Sequence, residues 1–501
     1  MEREKAMLEK WKNESKIKKI ADIFSIIVIL SGIGVSIYMN TVNRSLWLDE
    51  AYLVSSLLNR SFWNLTSMPL DYIQSAPVIY IYIIKVFIKL FGSGEGVLRL
   101  FSIICYAFTL FLSYYVSKKL FACKYPLLCA AFVANIDFLV RYSNVFKPYV
   151  SECVWVLLVL LVYYWYREEK IKWWMMAVLY MIFIWGANPV CFFIGGVLTC
   201  EFLQGVFGKE RNKIWQSIVS GVGILSSFVF YYFYWLKAAA QDDFMQNYWV
   251  NDRYPFIPKN GEDLEDAWKM IRRLFAVCNE ELRYLILALV LGAFVAGIIW
   301  KKNRYCSVLL IGFILALFAS SLYMFPVRDR IWTFCFPLLT ILAFYFIDIM
   351  LIREGSFRTE IFALLIMVTA ILANDGIKTY MDEEEVYWEY NEVNPLLDYV
   401  RENIKEDEMV YVYHNSIPVV TYKNGYGVNR IGNVSRDNVL WGTSTMAEAD
   451  KDMIMQTDKC YIITSQAADS EINPLLDYLG ANGTVDVVLD VYGTRLYYFS
   501  K

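Results

Sequence analysis

Charged residues and histidine are both scarce in this chain. Only 19% of its 501 residues are Asp, Glu, Lys or Arg, whereas 57% are hydrophobic and the mean hydropathy is +0.38. A soluble globular protein carries more charge than this. The chain also has a single histidine, His414, which excludes a multi-histidine metal site and a histidine-based catalytic triad within it. The composition therefore predicts a polytopic membrane protein.

Cysteine motifs are lacking as well. The ten cysteines fall mostly inside apolar segments, and no CxxC pair or Cys/His cluster is present. This pattern indicates neither a zinc site nor a disulfide framework, and we identify no cofactor with certainty.

Basic residues set the predicted topology. Several Lys and Arg precede the first apolar run, Ala21–Tyr38, which is long enough to span a membrane and has no cleavage site after it. Positive charge at this end predicts a cytoplasmic N-terminus in the cell membrane. The run Ala76–Phe91 is short, begins at a proline and carries Lys85 and Lys89. We interpret it as an outer juxtamembrane or re-entrant helix, because later basic turns then become cytoplasmic.

The resulting topology predicts about eleven transmembrane helices and an extracytoplasmic C-terminus. The predicted transmembrane domain is 1–374, with a first outer loop at 41–96 and a long outer loop at 237–284. Every unusual polar motif then faces the outer side, which favours a site there over a purely structural protein.

Asp49 and Glu50 follow the first span and are the candidate catalytic acids. By residue type, Asp49 could act as a general base on an acceptor hydroxyl. The pair could also hold a divalent cation, with further ligands unidentified. The structural alternative is a solvated loop pair or the first-turn acids of a helix.

Cations and aromatic residues accompany these acids. The predicted outer-face cations suit the phosphate of a lipid-linked donor, although most such residues are interfacial anchors. They are Arg141, Lys147, Arg328 and Arg330. Aromatic residues such as Trp47 and Tyr52 occupy the first outer loop, where an interfacial belt is the common alternative to a sugar platform.

Four segments carry a resemblance to a known family. They are Leu46-Trp-Leu-Asp-Glu-Ala-Tyr52, Gln74-Ser-Ala-Pro-Val-Ile-Tyr80, Leu90-Phe-Gly-Ser-Gly-Glu-Gly-Val-Leu-Arg-Leu-Phe101 and Arg141-Tyr-Ser-Asn-Val-Phe-Lys-Pro-Tyr149. In this order and spacing they resemble bacterial members of the glycosyltransferase C (GT-C) superfamily. The similar branch is related to protein O-mannosyltransferases and to the aminoarabinose transferase of lipid A.

The resemblance implies a GT-C fold and a hexosyl- or pentosyltransferase on the outer membrane face. Its donor would be a polyprenyl-phosphate sugar and its acceptor a glycan, lipid or protein; membrane lipid is a further partner, and no nucleic acid is expected. Asp49 matches the essential first-loop acid of the family. Arg141, Lys147 and Arg330 match basic residues near the donor phosphate. We assign substrate-shaping roles to Trp47, Tyr52, Gln74, Tyr80 and Tyr149.

The chain departs from the family pattern at two places. Val78 stands where the family often has a second proline, and Val145 stands where it often has a second-loop acid. Glu152 lies one helical turn or more further on, and the missing second-loop acid puts a two-carboxylate or metal-assisted mechanism in doubt. The mechanism we expect is a single inverting displacement with Asp49 as the base.

The composition changes after the last predicted span, Phe362–Asn374. Residues 375–501 open with the acidic stretch Asp382–Glu385 and then alternate helix and strand patterns. The predicted strands are Met409–Tyr413, Cys460–Thr464, Val485–Leu489 and Leu496–Phe499. Two Asn-Pro segments, at Asn394 and Asn473, predict capped helices. We predict a small extracytoplasmic α/β domain. The rival classes are a transporter or flippase of lipid-linked glycans, for which no clear inverted repeat is visible, and a non-catalytic scaffold.

Overall fold

The computed structural model describes residues 2–353, 358–381, 392–423, 438–443 and 448–501. The predicted acidic stretch Asp382–Glu385 lies outside these residues, as does the middle of the basic turn Arg353–Arg358. The described chain forms two compact units. The first comprises Met1–Met39, Ser75–Phe87 and Leu98–Lys378; the second comprises Asn40–Gln74, Ile88–Val97 and Thr379–Lys501.

The first unit is helical. In chain order, the helices up to residue 381 are α1 (Glu2–Thr41), α2 (Leu48–Asn59, which belongs to the second unit), α3 (Val78–Phe91), α4 (Glu95–Lys119), α5 (Pro126–Ala134), α6 (Asp137–Ser143), α7 (Tyr149–Arg167), α8 (Trp173–Phe183), α9 (Val190–Phe207), α10 (Arg211–Tyr231), α11 (Lys237–Ala240), α12 (Asp243–Tyr248), α13 (Gly261–Cys278), α14 (Arg283–Val295), α15 (Arg304–Ser321), α16 (Cys335–Ile347) and α17 (Arg358–Met381). Short π-helical segments extend α10, α14 and α16.

Within the described residues, eight helices are long and apolar enough to cross a membrane. The remaining predicted spans coincide with the pair α5 and α6, which bends by 64°, and with the shorter apolar segments Trp173–Phe183 and Cys335–Met350. A polytopic helical membrane protein is therefore confirmed.

Helix α3 is shorter than these spans, at 14 residues. Pro77 precedes it and supplies no backbone N–H to the helix start. The Ile79 N–H donates to the Trp185 carbonyl at 3.0 Å, and the Trp235 indole donates to the Ala76 carbonyl at 2.8 Å. These contacts pin the start of α3 to other parts of the first unit. Its placement outside the membrane stays a prediction.

The second unit contains a mixed five-stranded sheet. Its strands are β1 (Met409–Val412), β2 (Val439–Trp441), β3 (Lys459–Ser465), β4 (Thr484–Val491) and β5 (Thr494–Ser500). They lie in the order β2-β1-β3-β5-β4, with β1 parallel to β2 and β3, and β5 antiparallel to β3 and β4. The helices are α18 (Asn394–Asn403), α19 (Ile417–Lys423), α20 (Glu448–Met455) and α21 (Asp469–Gly480).

Alternating side chains of the sheet form the core of this unit. Tyr411, Cys460, Ile462 and Phe499 are buried against Leu475 of α21. This packing follows from the period-two pattern of strands, which places alternate residues on one face. The predicted small α/β fold at the C-terminus is confirmed. Strand β2 was not predicted, because three residues carry too little alternation to be recognised.

Both predicted asparagine caps are wrong in detail. Helix α18 begins at Asn394 itself, and its side chain caps no helical N–H. Helix α21 begins at Asp469, upstream of Asn473, and Pro474 lies inside it. The Glu471 carboxylate accepts the Ala468 N–H at 3.3 Å and so favours the earlier start.

The first loop folds together with the C-terminal domain in the second unit. The buried Glu392 carboxylate accepts the Ser45 N–H at 2.6 Å, and the Ser45 hydroxyl accepts the Asn394 N–H at 2.9 Å. The Thr494 hydroxyl donates to the Glu392 carbonyl at 2.8 Å. Glu392 therefore ties the segment before α2 to the sheet.

Replacing Glu392 tests this tie. Glu392→Ala leaves the buried Ser45 N–H without its acceptor, so we expect the free energy of unfolding of the second unit to fall by roughly 2–3 kcal/mol. Unfolding of the detergent-solubilised protein would measure it, with the exposed Glu402→Ala on α18 as control. Equal stability of the two variants would contradict the tie.

Candidate active site

Asp49 and Glu50 occupy the first turn of α2 but have different environments. Trp47 has an extended backbone and Leu48 begins the helix. Glu50 is fully buried, and its Oε2 accepts the Trp47 N–H at 2.9 Å. Asp49 is partly exposed. Both acids are stabilised by the positive end of the helix dipole, but only Asp49 retains access to solvent.

An ion pair fixes Glu50. The Arg44 Nη1 lies 3.7 Å from the Glu50 Oε2, and the two side chains are 1% and 0% exposed. Because a buried charge is costly unless it is paired, each of these two charges stabilises the other. These contacts favour a positioning role for Glu50, which holds the first turn of α2. Its predicted catalytic role is untested.

Two stacked tyrosines lie beside Asp49. Tyr52 follows Asp49 by one helical turn on the same face of α2. Its ring stacks on Tyr72 with centroids 4.3 Å apart and planes at 21°. Burial raises the pKa of Tyr52, and the nearby Tyr72 and Asp49 add to this shift. The pair is therefore neutral at physiological pH and presents an aromatic surface next to the acid.

The backbone at Tyr72 is strained. Tyr72 and Ile73 both have φ of 55°, in the left-handed region that non-glycine residues rarely adopt. Such a conformation persists only where the surroundings enforce it, and it is enriched at functional sites. Gln74, another predicted site residue, closes this turn by donating its N–H to the Asp71 carbonyl at 3.2 Å.

Arg60 supplies the enforcing contacts. Its guanidinium donates to the Met68 carbonyl at 2.8 Å, to the Pro69 carbonyl at 2.6 Å and to the Asp71 carboxylate at 2.8 Å. The Ser55 hydroxyl also donates to this carboxylate, at 3.2 Å. Arg60 and Asp71 were missed from the sequence, where only the number of aromatic residues marked this loop.

The segment Arg141–Tyr149 belongs to the first unit and is almost entirely buried. Arg141 and Lys147 are 7% and 5% exposed. The Arg141 Nε lies 2.8 Å from the Asp137 carboxylate. The Ser102 hydroxyl of α4 donates to the Val145 carbonyl at 2.9 Å. Arg141 thus lies in the last turn of α6 and Lys147 in the short buried connection to α7.

Tyr80 and Tyr149 also belong to the first unit. Tyr80 is 1% exposed, and its ring lies 5.8 Å from that of Phe101 and 6.2 Å from that of Phe146. Tyr149 packs edge-on against Tyr142 at 5.3 Å. The contacts of Tyr80 are those of a core aromatic residue, so its predicted substrate-shaping role gains no support from them.

Glu152 lies in the first turn of α7, beyond the missing second-loop acid at Val145. It is buried, and its carboxylate accepts the Asn188 N–H at 3.3 Å. The Tyr231 hydroxyl in turn donates to the Asn188 side chain at 3.1 Å. Glu152 therefore joins the start of α7 to the Asn188–Pro189 turn and to α10.

Arg328 and Arg330 lie in the turn between α15 and α16. Arg328 is 3.5 Å from the Asp252 carboxylate, and Arg330 lies over the Trp249 ring at 5.4 Å. Arg273 of α13 pairs with Asp252 at 3.0 Å and with Asp329 at 2.8 Å.

The surroundings of Asp329 in this turn shift the pKa of its carboxyl group. Burial raises the pKa of Asp329, and Arg273 and Arg328 only partly offset the shift. Arg273 and Asp252 were not predicted, because their segments lie far from this turn in the sequence.

A metal fits the acid pair poorly. No group of three His, Cys, Asp or Glu suited to a metal is present among the described residues. The Glu50 Oε2 already faces Arg44 and the Trp47 N–H. A divalent cation held by Asp49 and Glu50 would have to displace these partners, so we derive no metal-assisted step.

The predicted site residues are distributed over both units. Trp47, Asp49, Glu50, Tyr52 and Gln74 belong to the second unit. The remaining predicted residues belong to the first, and they are Tyr80, Arg141, Lys147, Tyr149, Arg328 and Arg330. The geometry within the second unit brings Asp49 and the tyrosine pair together.

Comparisons with known proteins define the fold. The chain is similar to ArnT from Cupriavidus metallidurans bound to undecaprenyl phosphate, at 13% sequence identity over 95% of this chain and 97% of that one, with a TM-score of 0.53. The chain has the GT-C fold. Residues 75–235 of this chain match the model of the dolichyl-phosphate-mannose-protein mannosyltransferase family. The resemblance seen in the sequence is therefore confirmed.

Other solved GT-C structures are more distant. Apo ArnT from the same organism has 12% identity over 94% of this chain and 97% of that one, with a TM-score of 0.48. The archaeal oligosaccharyltransferase AglB from Archaeoglobus fulgidus, in complex with an inhibitory peptide and a dolichol-phosphate, has 11% identity over 87% of this chain and 69% of that one, with a TM-score of 0.48. The comparison with curated protein sequences gives no match.

The Arg44–Glu50 pair gives a stability prediction. Glu50→Gln removes the negative charge that lies 3.7 Å from the buried Arg44 guanidinium, so we expect a loss of about 3–5 kcal/mol in the free energy of unfolding. The double variant Arg44→Gln, Glu50→Gln removes both charges and should recover most of it. Asp49→Asn should lower the free energy of unfolding by less than about 1 kcal/mol, the size of a helix-dipole contribution at a partly exposed site. A stable but inactive Glu50→Gln protein would instead assign Glu50 to the chemistry.

The Arg60–Asp71 clamp gives a pH prediction. Burial raises the pKa of Asp71, but hydrogen bonds from Arg60, Ser56 and Ser55 outweigh it and hold this pKa below the ordinary 3.8. Because the pKa of Asp71 is lower in the folded state than in the unfolded state, the Arg60–Asp71 clamp contributes its full stability above pH 3.8. This stability is lost as the pH falls through the folded-state pKa of Asp71.

Hydrogen exchange of residues 68–74, corrected for intrinsic rates, would measure this transition. Asp71→Asn should exchange faster at neutral pH and lose the pH dependence, whereas the exposed Asp477→Asn should behave like the parent protein. If the pH dependence of hydrogen exchange in Asp71→Asn is the same as in the parent protein, another group must hold the turn.

Proposed function

We propose that this protein is a membrane glycosyltransferase. It moves a sugar from a polyprenyl-phosphate donor to an acceptor on the outer face of the cytoplasmic membrane. The sugar is a hexose or a pentose, and the acceptor is a glycan, a lipid or a protein.

One observation carries the proposal. Residues 75–235 match the dolichyl-phosphate-mannose-protein mannosyltransferase family, whose description names mannose carried on dolichyl phosphate, a polyprenyl-type lipid phosphate. The similar ArnT structure holds undecaprenyl phosphate, another lipid of this class. Together they support a polyprenyl-phosphate donor for a chain that has the same fold.

The environment of Asp49 supports its assignment as the general base. Its carboxylate is partly exposed, while Glu50 beside it is buried and paired with Arg44. In the proposed step the acceptor hydroxyl oxygen bonds to the anomeric carbon, the bond from that carbon to the phosphate oxygen breaks, and Asp49 takes the hydroxyl proton. One displacement of this kind inverts the anomeric configuration.

The leaving group is polyprenyl phosphate, which departs with increased negative charge. Arg141 and Lys147 are the cations we assign to it, because they are held rigidly in a buried segment where electrostatic stabilisation is stronger than in water. We assign the Tyr52–Tyr72 pair to the sugar, since aromatic faces pack against the apolar faces of sugar rings.

Charge distribution supports the orientation. Basic residues lie at or just beyond one end of several spans, including Lys119 at the end of α4, Arg167 at the end of α7 and Arg304 at the start of α15. The positive-inside rule assigns these ends to the cytoplasm. The C-terminal α/β domain is then extracytoplasmic.

A donor labelled in its sugar distinguishes transfer from transport. The purified protein in proteoliposomes would be incubated with radiolabelled polyprenyl-phosphate sugar and candidate acceptors. Label on an acceptor is the expected result. Label that crosses the bilayer while it stays on the lipid would identify a flippase and overturn the proposal.

Replacing Asp49 tests the base directly. Asp49→Asn is nearly isosteric and removes the proton acceptor, so we expect transfer to fall by roughly 10²–10⁴-fold, the range typical of general base catalysis. Expression and membrane insertion should be unchanged. The matched control is Asp243→Asn, an exposed first-turn acid of α12. Retained activity in Asp49→Asn would refute the assignment.

A further inference from the structure

The carboxyl edge of the parallel strands in the second unit has the features of a ligand site. The chain passes from β1 to β2 on one side and then crosses to β3 on the other. Adjacent parallel strands whose connections leave in opposite directions form a crevice at their carboxyl ends, and ligands of open α/β sheets bind there. In this sheet the strand order places that position between the carboxyl ends of β1 and β3, and His414 directly follows β1.

Three polar atoms at this edge have no partner among the described residues. They are the His414 Nδ1, the Ser416 Oγ and the Thr443 Oγ1, and all three are buried. A buried polar group without a hydrogen bond is costly, and such groups are rare in folded proteins. Their concentration at one edge of one sheet indicates that something else satisfies them.

Close backbone packing brings these residues together. Gly442 follows β2, and a Cβ there would lie 3.1 Å from the His414 N and 2.6 Å from the Tyr411 hydroxyl. The Asn415 side chain donates to the Gln466 carbonyl at 3.0 Å, across the gap between β1 and β3. Gln466 has φ of 51°, a strained conformation of the kind that is enriched at ligand sites.

Charge at this edge limits the chemistry of the ligand. Glu471 is exposed and accepts the Tyr413 hydroxyl at 3.0 Å, and the buried Asp450 accepts the Thr443 N–H at 3.1 Å. The described residues that directly follow β1 (413–416), β2 (442–443) and β3 (466) include no lysine and no arginine. Arg495 of β5, opposite Thr464 at the end of β3, is already paired with Asp469 and Asp490. Glu471 and Asp450 form no ion pair among the described residues, and acids in this state repel a phosphate or a carboxylate. Hydroxyl, amide and imidazole groups, by contrast, both donate and accept hydrogen bonds.

We propose that this edge binds a neutral, hydroxyl-rich ligand, a saccharide, through His414, Thr443 and Glu471. The sugar hydroxyls donate to the Glu471 carboxylate and exchange hydrogen bonds with the Thr443 hydroxyl and the His414 imidazole. Burial holds the pKa of His414 below 6.5, so the imidazole is neutral at physiological pH and can accept such a bond. This site goes beyond the proposed transfer reaction and does not depend on it.

The test uses the full chain in lipid nanodiscs, without donor, titrated with maltose, cellobiose and chitobiose as probes. We expect saturable binding of at least one disaccharide. Thr443→Val should weaken it by about tenfold, the loss typical of one hydrogen bond. The same variant should be at least as stable as the parent protein without ligand, because it removes an unsatisfied buried hydroxyl.

Two controls separate this site from the proposed catalysis. Thr484→Val, on the exposed strand β4, should bind like the parent protein. Asp49→Asn should also bind normally, so failure of transfer and failure of this site are distinguishable. Absence of binding by every probe, or equal affinity in Thr443→Val, would overturn the proposal.

Discussion

The buried ion pair between Arg44 and Glu50 is the constraint on which the candidate site depends. Both side chains are shielded from water, so each charge stabilises the other at a depth where an unpaired charge is costly. Glu50 also accepts the Trp47 N–H and thereby fixes where α2 begins. Asp49 is left with partial exposure at the positive end of the helix. Two adjacent carboxylates thus acquire different environments from a single turn of helix.

The same unit concentrates strain next to this acid. Arg60 and Asp71 hold Tyr72 in a left-handed conformation that it would not adopt alone, and Tyr72 stacks on Tyr52 one turn after Asp49. The Glu392 contact ties the segment before α2 to the C-terminal sheet. The C-terminal domain therefore contributes to the support of the first loop, a role that its sequence pattern does not indicate.

Much of the fold could be predicted from the sequence, because span length and strand alternation are local properties. These local properties predicted the membrane spans and the strands β1, β3, β4 and β5, whereas β2 was too short to show an alternating pattern. The sequence motif located the acid pair, but the different environments of Asp49 and Glu50 could not be predicted from it. Burial of Glu50 depends on Arg44 and on the fold around it. Likewise, Asp252 meets Arg273 and Arg328 only through tertiary structure, and no local signal in the sequence marks these contacts.

The anomeric configuration of the product tests the central claim most directly. A polyprenyl-phosphate donor of known anomer would be converted by the purified protein, and the product linkage would be assigned by NMR. A single displacement with Asp49 as base predicts complete inversion at the anomeric carbon. Retention would require a covalent glycosyl intermediate or another path and would contradict the account.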